Sequence, residues 1–350
     1  MSCRMNGIRS AAIVGAGMAG LACARSLAAA GLTVSVFDKG RRPGGRLATR
    51  RSREGGFVFD HGAQYVTARS AGFRALIERM AASGDAAAWQ QAGADEPHWV
   101  GVGGMDALAG HLERALVKDG ALISAGRHVA HLQGGANGWR VRHLPAAEIR
   151  PGMVTDQGGK VEGPFDAVLL ALPAPQSAAL LDSLAHGFAT VAESVPIAPC
   201  WAVMAAFAER VPWPDQLRPE YSPLSWIARD SSRPGRDRLP DCWVMHASPD
   251  WSRANLERPA AEIAQDLLAV FREITGVNAE PIHLAAHRWR HALTEAPLDR
   301  PFLWDGSTRL GVCGDWCVGA RVEAAWISGT SLAEALLASS NPLASVTADV

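Results

Sequence analysis

Between Ala11 and Asp38 the chain sets an apolar run, a glycine turn, an Ala-rich segment and a second apolar run directly one after another. Ala11 to Val14 leads into Gly15-Ala16-Gly17-Met18-Ala19-Gly20, Leu21 to Ala30 favours a helix that Gly31 ends, and Thr33 to Phe37 is β-branched and apolar up to Asp38. Strand, tight turn, helix and strand in this order predict a βαβ unit, and with it an α/β fold built on a parallel sheet. Gly15 permits the turn, Gly17 lets backbone approach a pyrophosphate, and Gly20 lets the helix lie close on the sheet. The helix N-terminus at Met18 and Ala19 then faces phosphates, and Asp38 is placed to hydrogen-bond ribose hydroxyls. This fingerprint does not by itself separate NAD from FAD.

A chain of 350 residues exceeds the usual single-domain size, so two domains are expected. Its net charge of -1, from 34 basic and 35 acidic residues, offers no broad field for nucleic acid or an anionic membrane, which points to a small-molecule partner. Met1 to Arg9 lacks an apolar signal-type region and no later stretch is long and apolar enough to span a bilayer, so a cytoplasmic location is expected. The 6 cysteines are scattered, which does not read as a disulfide framework. Cys313 and Cys317 form a close pair, but no second Cys or His pair follows at zinc-binding spacing, so no metal is expected.

Two further segments decide between the dinucleotides. Gly44-Gly45-Arg46 forms a loop that approaches the pyrophosphate from the other side and brings a guanidinium to it. Leu310 to Asp315 reads as a strand closing on Gly314-Asp315, followed by a helix-like run from Val322 to Ala338. The combination resembles the FAD-binding domain of the amine oxidase superfamily. The resemblance implies that Asp315 binds a ribityl hydroxyl and that the helix start at Val322 and Ala325 aims its positive dipole end at the flavin pyrimidine. It also implies cofactor contacts from Lys39, Gly45, Arg46, His61, Gly62, Ala63, Gln64, Val129 and Gly314. Noncovalent FAD is expected, because Cys317 lies just after the Gly-Asp motif whereas the family's attachment cysteine lies well before it.

Met105 to Val117 carries a helical apolar stripe closed by Gly120, and strand-like runs follow at Ala121 to Ser124, Arg127 to Leu132, Trp139 to His143 and Ala167 to Leu172, with Pro145 to Gly163 read as a hairpin loop. Cys200 to Phe207, Cys242 to Ala247 and Ile282 to Arg290 suggest an antiparallel sheet, and Pro259 to Ile274 a helix covering it. The expected organisation is a Rossmann-type FAD-binding domain at 1–65, 103–173 and 305–350, with a second α+β substrate domain at 66–102 and 174–304. Arg229, Arg233 and Arg236 could meet substrate phosphates, but a solvated arginine-rich loop is the preferred reading.

Phe37-Asp38-Lys39, Gly44-Gly45-Arg46, Asp60-His61-Gly62-Ala63-Gln64-Tyr65, Trp289-Arg290-His291 and Cys313-Gly314-Asp315, in this order, resemble renalase and its bacterial relatives over nearly the whole chain. That resemblance implies oxidation of 1,2- and 1,6-dihydro isomers of NAD(P), with electrons passed to O2 as hydrogen peroxide. Such a reaction removes no proton. The protein must hold the ring carbon close to the flavin and offer flat apolar walls, for which Trp289, Tyr65, His246 and Gln64 are the candidates, with Arg290 read as either a contact or a salt-bridged side chain. Oxidation of a small amine is the first alternative; its customary lysine beside the flavin has no counterpart, since the lysines are Lys39, Lys118 and Lys160. A non-catalytic flavin redox sensor reporting through Cys313 and Cys317 is the second, and a desaturase of hydrophobic substrates the third. The oligomeric state is not legible in the sequence.

Overall fold

The computed structural model describes residues 7–52, 55–89, 96–135, 137–150, 153 and 158–340, and the chain divides into two compact units. The first comprises Met1–Gly45, Ala109–Pro196 and Ala296–Val350; the second comprises Arg46–Leu108 and Ile197–Glu295. Among the described residues no helix is long and apolar enough to cross a membrane.

The first unit is built on a six-stranded sheet in the order Leu303–Asp305, Leu310–Val312, Ala167–Leu170, Ser10–Val14, Thr33–Asp38, Leu122–Ala125. Every neighbouring pair is parallel except the first, Leu303–Asp305 against Leu310–Val312, which is antiparallel. The central strands are buried along almost their full length, which is why they read as continuous apolar runs rather than alternating ones. The Met18–Ala29 helix follows the first strand and the Val322–Ser339 helix lies against it. At their contact a Cβ added to Gly329 would stand 2.1 Å from the Ala19 carbonyl oxygen, so only glycine lets these helices approach this closely. A separate three-stranded antiparallel sheet joins Arg127–Gly135, Gly138–Pro145 and Lys160–Phe165. The last of these begins within the stretch expected to be loop: its exposed Lys160 and half-buried Glu162, ion-paired at 2.8 Å, and its Gly163-Pro164 carry no apolar alternation.

The second unit holds a five-stranded antiparallel sheet in the order Gln216–Leu217, Leu224–Arg229, Asp241–Ala247, Ile197–Phe207, His283–Thr294. Period-two alternation divides its faces. Trp201, Val203, Ala205, Phe207, Trp243 and Met245 pack under the Ala260–Thr275 helix, whose Ile263, Leu267, Leu268 and Phe271 form the expected stripe. Gly276 ends that helix in the left-handed conformation at φ 69°. On the opposite face Met204, Ala206, Cys242 and Val244 pack against Phe57 and Phe59. This packing explains why residues 46–65, expected with the dinucleotide half, group with the second unit: the Thr49–Arg51 and Val58–Asp60 hairpin inserts its phenylalanines into that unit's core.

The arginine-rich loop is not solvated. Arg233 pairs with Asp60 at 3.0 Å and Asp230 at 2.8 Å, and Arg236 bonds the same two carboxylates, with all four side chains buried. Nearby, Arg229 pairs with Asp215 and, at 3.0 Å, with Asp241, while its guanidinium lies 4.5 Å over the Trp243 ring. These arginines complete a structural ion network and leave nothing for a substrate phosphate. Removing one partner strands the others in a dry interior, so Arg233→Leu is expected to lower stability by about 3–5 kcal/mol, read from chemical denaturation.

Candidate functional site

In the first unit the glycine turn has the geometry its spacing predicted. Gly15 sits at φ 106°, donates its N–H to the Phe37 carbonyl at 2.8 Å, and has no space for a side chain: a Cβ would stand 2.4 Å from the Ala171 oxygen. At Gly20 a Cβ would meet the Gly15 oxygen at 1.9 Å. Gly17 differs, because nothing lies within 4 Å of where its Cβ would be. That open space fronts the start of the Met18–Ala29 helix, whose first turn closes with Leu21 N–H on the Gly17 carbonyl at 2.9 Å; the N–H groups of Met18, Ala19 and Gly20 therefore lie at the open helix end, where an anion fits. The Gly44–Gly45 loop folds back onto the same turn, with Gly44 N–H on the Ala16 carbonyl at 2.8 Å and a Gly45 Cβ position 3.4 Å from the Gly17 Cα.

Asp38 ends the second strand with its carboxylate turned inward. One oxygen accepts from Ala16 N–H and the other from Gly40 N–H, each at 2.6 Å, and burial pushes its pKa up against those two bonds. Each oxygen keeps a lone pair, so ribose hydroxyls remain within its capacity. Lys39 beside it is exposed, and Val129 is buried on Arg127–Gly135. At the other end of the sheet Gly314 donates to the Ser328 hydroxyl at 2.9 Å, and Asp315, buried, opens a short turn whose Val318 and Gly319 N–H groups bond its carbonyl. Val322 begins the last helix, and Glu323 and Ala325 in its first turn are buried. These features fit an ADP moiety at the Gly17 opening. Cys313 and Cys317 are buried free thiols, that of Cys317 pushed up to about 12 by burial, which keeps them from serving as thiolate reporters.

In the second unit the remaining candidates fall into two groups. The backbone carbonyl of His61 is the first focus: Trp289 Nε1 donates to it at 2.8 Å, and His246 Nε2 lies 3.2 Å from it. The His61 and Trp289 rings stack at 5.1 Å and 26°, and His287, which sequence reasoning did not single out, meets His61 edge-on at 4.7 Å and Trp289 at 4.5 Å. His287 stands two residues before Trp289 on the same strand face, a period-two signal that was available. Burial, aided by neighbouring arginines and, at His61 alone, by His287 and His246, pushes the pKa of His61 down to about 3 and those of His246 and His287 to about 4. The result is a wall of neutral aromatic rings. Arg46 holds the loop's flank: its side chain donates to the Ala292 carbonyl at 3.0 Å, its own carbonyl accepts Ala63 N–H at 2.8 Å, and a Cβ on Gly62 would stand 2.0 Å from it.

Gln64 and Tyr65 belong elsewhere. The Gln64 amide donates to the Asp60 and Gly62 carbonyls while its oxygen accepts from Trp226 Nε1 at 3.0 Å and Arg233 at 2.7 Å, which commits the side chain to the loop's framework. Tyr65 stacks on His98 at 3.7 Å and 14°, and its hydroxyl accepts from Arg218 at 2.6 Å. Arg290 is exposed and paired with Glu257 at 2.6 Å, the salt-bridged reading of that residue.

Residues 13–80 match the family described as NAD(P)-binding Rossmann-like domain, and residues 86–337 match flavin containing amine oxidoreductase. Among solved structures, an Exiguobacterium sp. 255-15 protein described as a protoporphyrinogen oxidase is 12% identical, with a TM-score of 0.71 over 94% of this chain and 99% of that one. An oxidoreductase from Methanosarcina mazei is 15% identical with a TM-score of 0.64, covering 93% of this chain and 100% of the other. Putrescine oxidase bound to putrescine is also 15% identical with a TM-score of 0.64, covering 94% of this chain and 99% of that one. At such identities these likenesses speak for the fold.

Two outcomes are expected. Asp38→Asn and Asp315→Asn each lower the flavin retained through gel filtration, read as the ratio of flavin to protein absorbance. The depressed histidines also make stability pH-dependent. Their folded-state pKa values lie below the ordinary 6.5, so the unfolded chain binds more protons as the pH falls from about 6.5 towards 4. Stability is then full above 6.5 and declines through that window by about 1.4 kcal/mol per pH unit for each histidine. Denaturation at pH 7 and 4.5 measures this, and His287→Gln flattens the slope.

Proposed function

The chain belongs to the flavin-containing amine oxidoreductase family and is an FAD-dependent oxidoreductase; from that premise we propose that it oxidises the 1,2- and 1,6-dihydro isomers of NAD(P), in the manner of renalase. The first unit serves as the FAD-binding domain, with Gly15, Gly17, Gly20, Asp38, Gly45, Asp315 and the start of the last helix holding the cofactor noncovalently. The second serves as the substrate domain. FAD, when bound, supplies the two-electron acceptor and the route to O2, giving hydrogen peroxide and NAD(P)+.

The observation that carries this reading is the neutral ring wall of Trp289, His61, His287 and His246. A dihydropyridine gives up a hydride and becomes an aromatic cation, so its oxidation needs no base. It needs flat surfaces that pack against the ring without opposing the charge that develops, and neutral imidazoles and an indole meet that need. Trp289 and His246, both anchored on the His61 carbonyl, fix the rings of the wall relative to one another. An amine substrate, by contrast, must lose a proton and calls for a base or an anionic pocket. Histidines with pKa values of about 3 to 4 are poor bases near neutrality, and the carboxylate next to His61 in the chain, Asp60, is locked to Arg233 and Arg236.

Mixing the FAD-loaded protein anaerobically with 1,2- and 1,6-dihydro-NAD is expected to bleach the flavin band within the mixing experiment, while putrescine and other small amines leave it unchanged. Bleaching by amines and not by the isomers would sink the proposal. Trp289→Ala is expected to slow flavin reduction by about 10²-fold with FAD still bound; loss of FAD instead would make Trp289 a structural residue.

A further inference from the structure

Besides the ring wall, the second unit carries a cavity of about 500 Å³ at one end of its five-stranded sheet. Pro219, Tyr221 and Trp251 line it, with Ser222, Ser225 and Ser248 between them. Small-molecule sites usually measure roughly 300–1,000 Å³, so the cavity has room for a ligand of nucleoside size. No charged side chain is among the described residues that line it, which suits it to a neutral group. The serines keep hydrogen-bonding capacity. Ser222 Oγ accepts from Leu224 N–H at 3.2 Å and Ser248 Oγ from Trp251 N–H at 3.3 Å, and each hydroxyl retains its proton to donate.

Tyr221 carries a second, independent observation. It is fully exposed, makes no hydrogen bond or ring contact among the described residues, and holds its backbone at φ 52°. That left-handed conformation is one a bulky side chain adopts at a cost. The strain lowers stability, and the ring recovers none of it inside the chain. Strain of this kind collects at ligand clamps, where a bound molecule supplies the missing contacts.

Residues that reach the surface link this cavity to the ring wall. Trp289 pairs across the strands with Cys200, whose thiol lies 3.7 Å from the Ala247 carbonyl, and Ser225 Oγ lies 3.4 Å from that same carbonyl. Ser248, next after Ala247, donates its N–H to the Pro223 carbonyl at 2.8 Å. Trp289, Cys200, Ser248 and Pro223 thus follow one another across the end of the sheet. With strands about 4.8 Å apart, Ser248 stands about 10 Å from Trp289 and Pro223 about 14 Å. All four are partly exposed, whereas Ala202 and Trp226, one row further in, are buried.

We infer that the cavity between Tyr221 and Trp251 receives the adenosine half of a dihydronicotinamide dinucleotide whose reduced ring lies on the wall at Trp289. The pyrophosphate then crosses the sheet end at Cys200 and stays in water. The absence of charge from the lining assigns base and ribose, not phosphate, to the cavity. This rests on the dihydronicotinamide reading and adds to it a substrate class: the dinucleotides, chosen over the mononucleotide.

The test uses FAD-loaded protein, in which the ADP site of the first unit is already filled. Adenosine alone is titrated calorimetrically, and anaerobic flavin reduction compares 1,2-dihydro-NAD with the 1,2-dihydro mononucleotide. The native protein is expected to bind adenosine and to prefer the dinucleotide by about 10- to 100-fold in apparent affinity, the worth of burying one flat heterocycle. In W251A the adenosine heat disappears and the ratio falls to near one. Y221G removes the clamp ring and relieves the backbone, so it lowers the ratio while raising the midpoint of thermal unfolding, and it carries the test if W251A fails to fold. In both variants apparent affinity for the dinucleotide falls more than the limiting rate of flavin reduction. Absence of adenosine binding to the native protein, or a ratio unchanged in the variants, overturns the inference while leaving the oxidase reading intact. If no dihydronicotinamide bleaches the native flavin, it is the oxidase reading that fails, and this one with it.

Discussion

A carboxylate withdrawn wholly from water must have its charge answered at close range, and the second unit is organised around one that is. Asp60 accepts from the Thr49 hydroxyl at 2.6 Å, from Met105 N–H at 2.9 Å and from two arginines, while its own N–H is spent on Asp230. Burial alone would raise its pKa; the Arg236 and Arg233 guanidiniums outweigh burial and hold it below the ordinary carboxylate range. Four chain segments are fixed relative to one another by this residue, and the next in sequence is His61, whose carbonyl accepts from Trp289 and lies 3.2 Å from His246 Nε2. The ring wall therefore inherits its position from a buried ion cluster.

The electrostatic division of labour in that unit is sharp. Charges of both signs are gathered into the interior behind the loop, where they cancel, and the surface in front of it is left to rings that carry none. A cluster of histidines is commonly taken as a proton relay or metal site. Here desolvation, joined at His61 by repulsion from His287 and His246, keeps the rings unprotonated and so removes the relay role, and what remains is three polarisable planes with the packing behaviour of phenylalanine and an added ability to orient through ring nitrogens.

Local features were legible in the sequence. Gly15, Gly17, Gly20 and Asp38 lie within one βαβ unit, so their spacing alone specified their geometry, and the Ala260–Thr275 helix with Gly276 at its end announced itself by its stripe and stop signal. What failed was long-range pairing of charge. Asp60 and Asp230 are 170 residues apart, and nothing local in Arg233 or Arg236 distinguishes a solvated guanidinium from a buried one. The same limit moved Gln64 from candidate contact to framework, since its partners Trp226 and Arg233 come from the far side of the sequence. The 46–65 segment was placed by its neighbour, the glycine fingerprint, when its two phenylalanines were the better guide.

The order in which strands enter the first sheet has a bearing on how the chain can be made. Ser10–Val14 lies between Thr33–Asp38 and Ala167–Leu170, and the next place outward belongs to Leu310–Val312. A ribosome that has released the chain as far as residue 300 has still not delivered the strand that flanks Ala167–Leu170, nor the Val322–Ser339 helix that packs against the Met18–Ala29 helix. Ala167–Leu170 must therefore wait, apolar and unpaired on one side, for Leu310–Val312. That edge of the sheet stays uncovered until Leu310–Val312 and the Val322–Ser339 helix have been made, and cutting the chain at either unit's nominal boundary leaves no fragment that can close it.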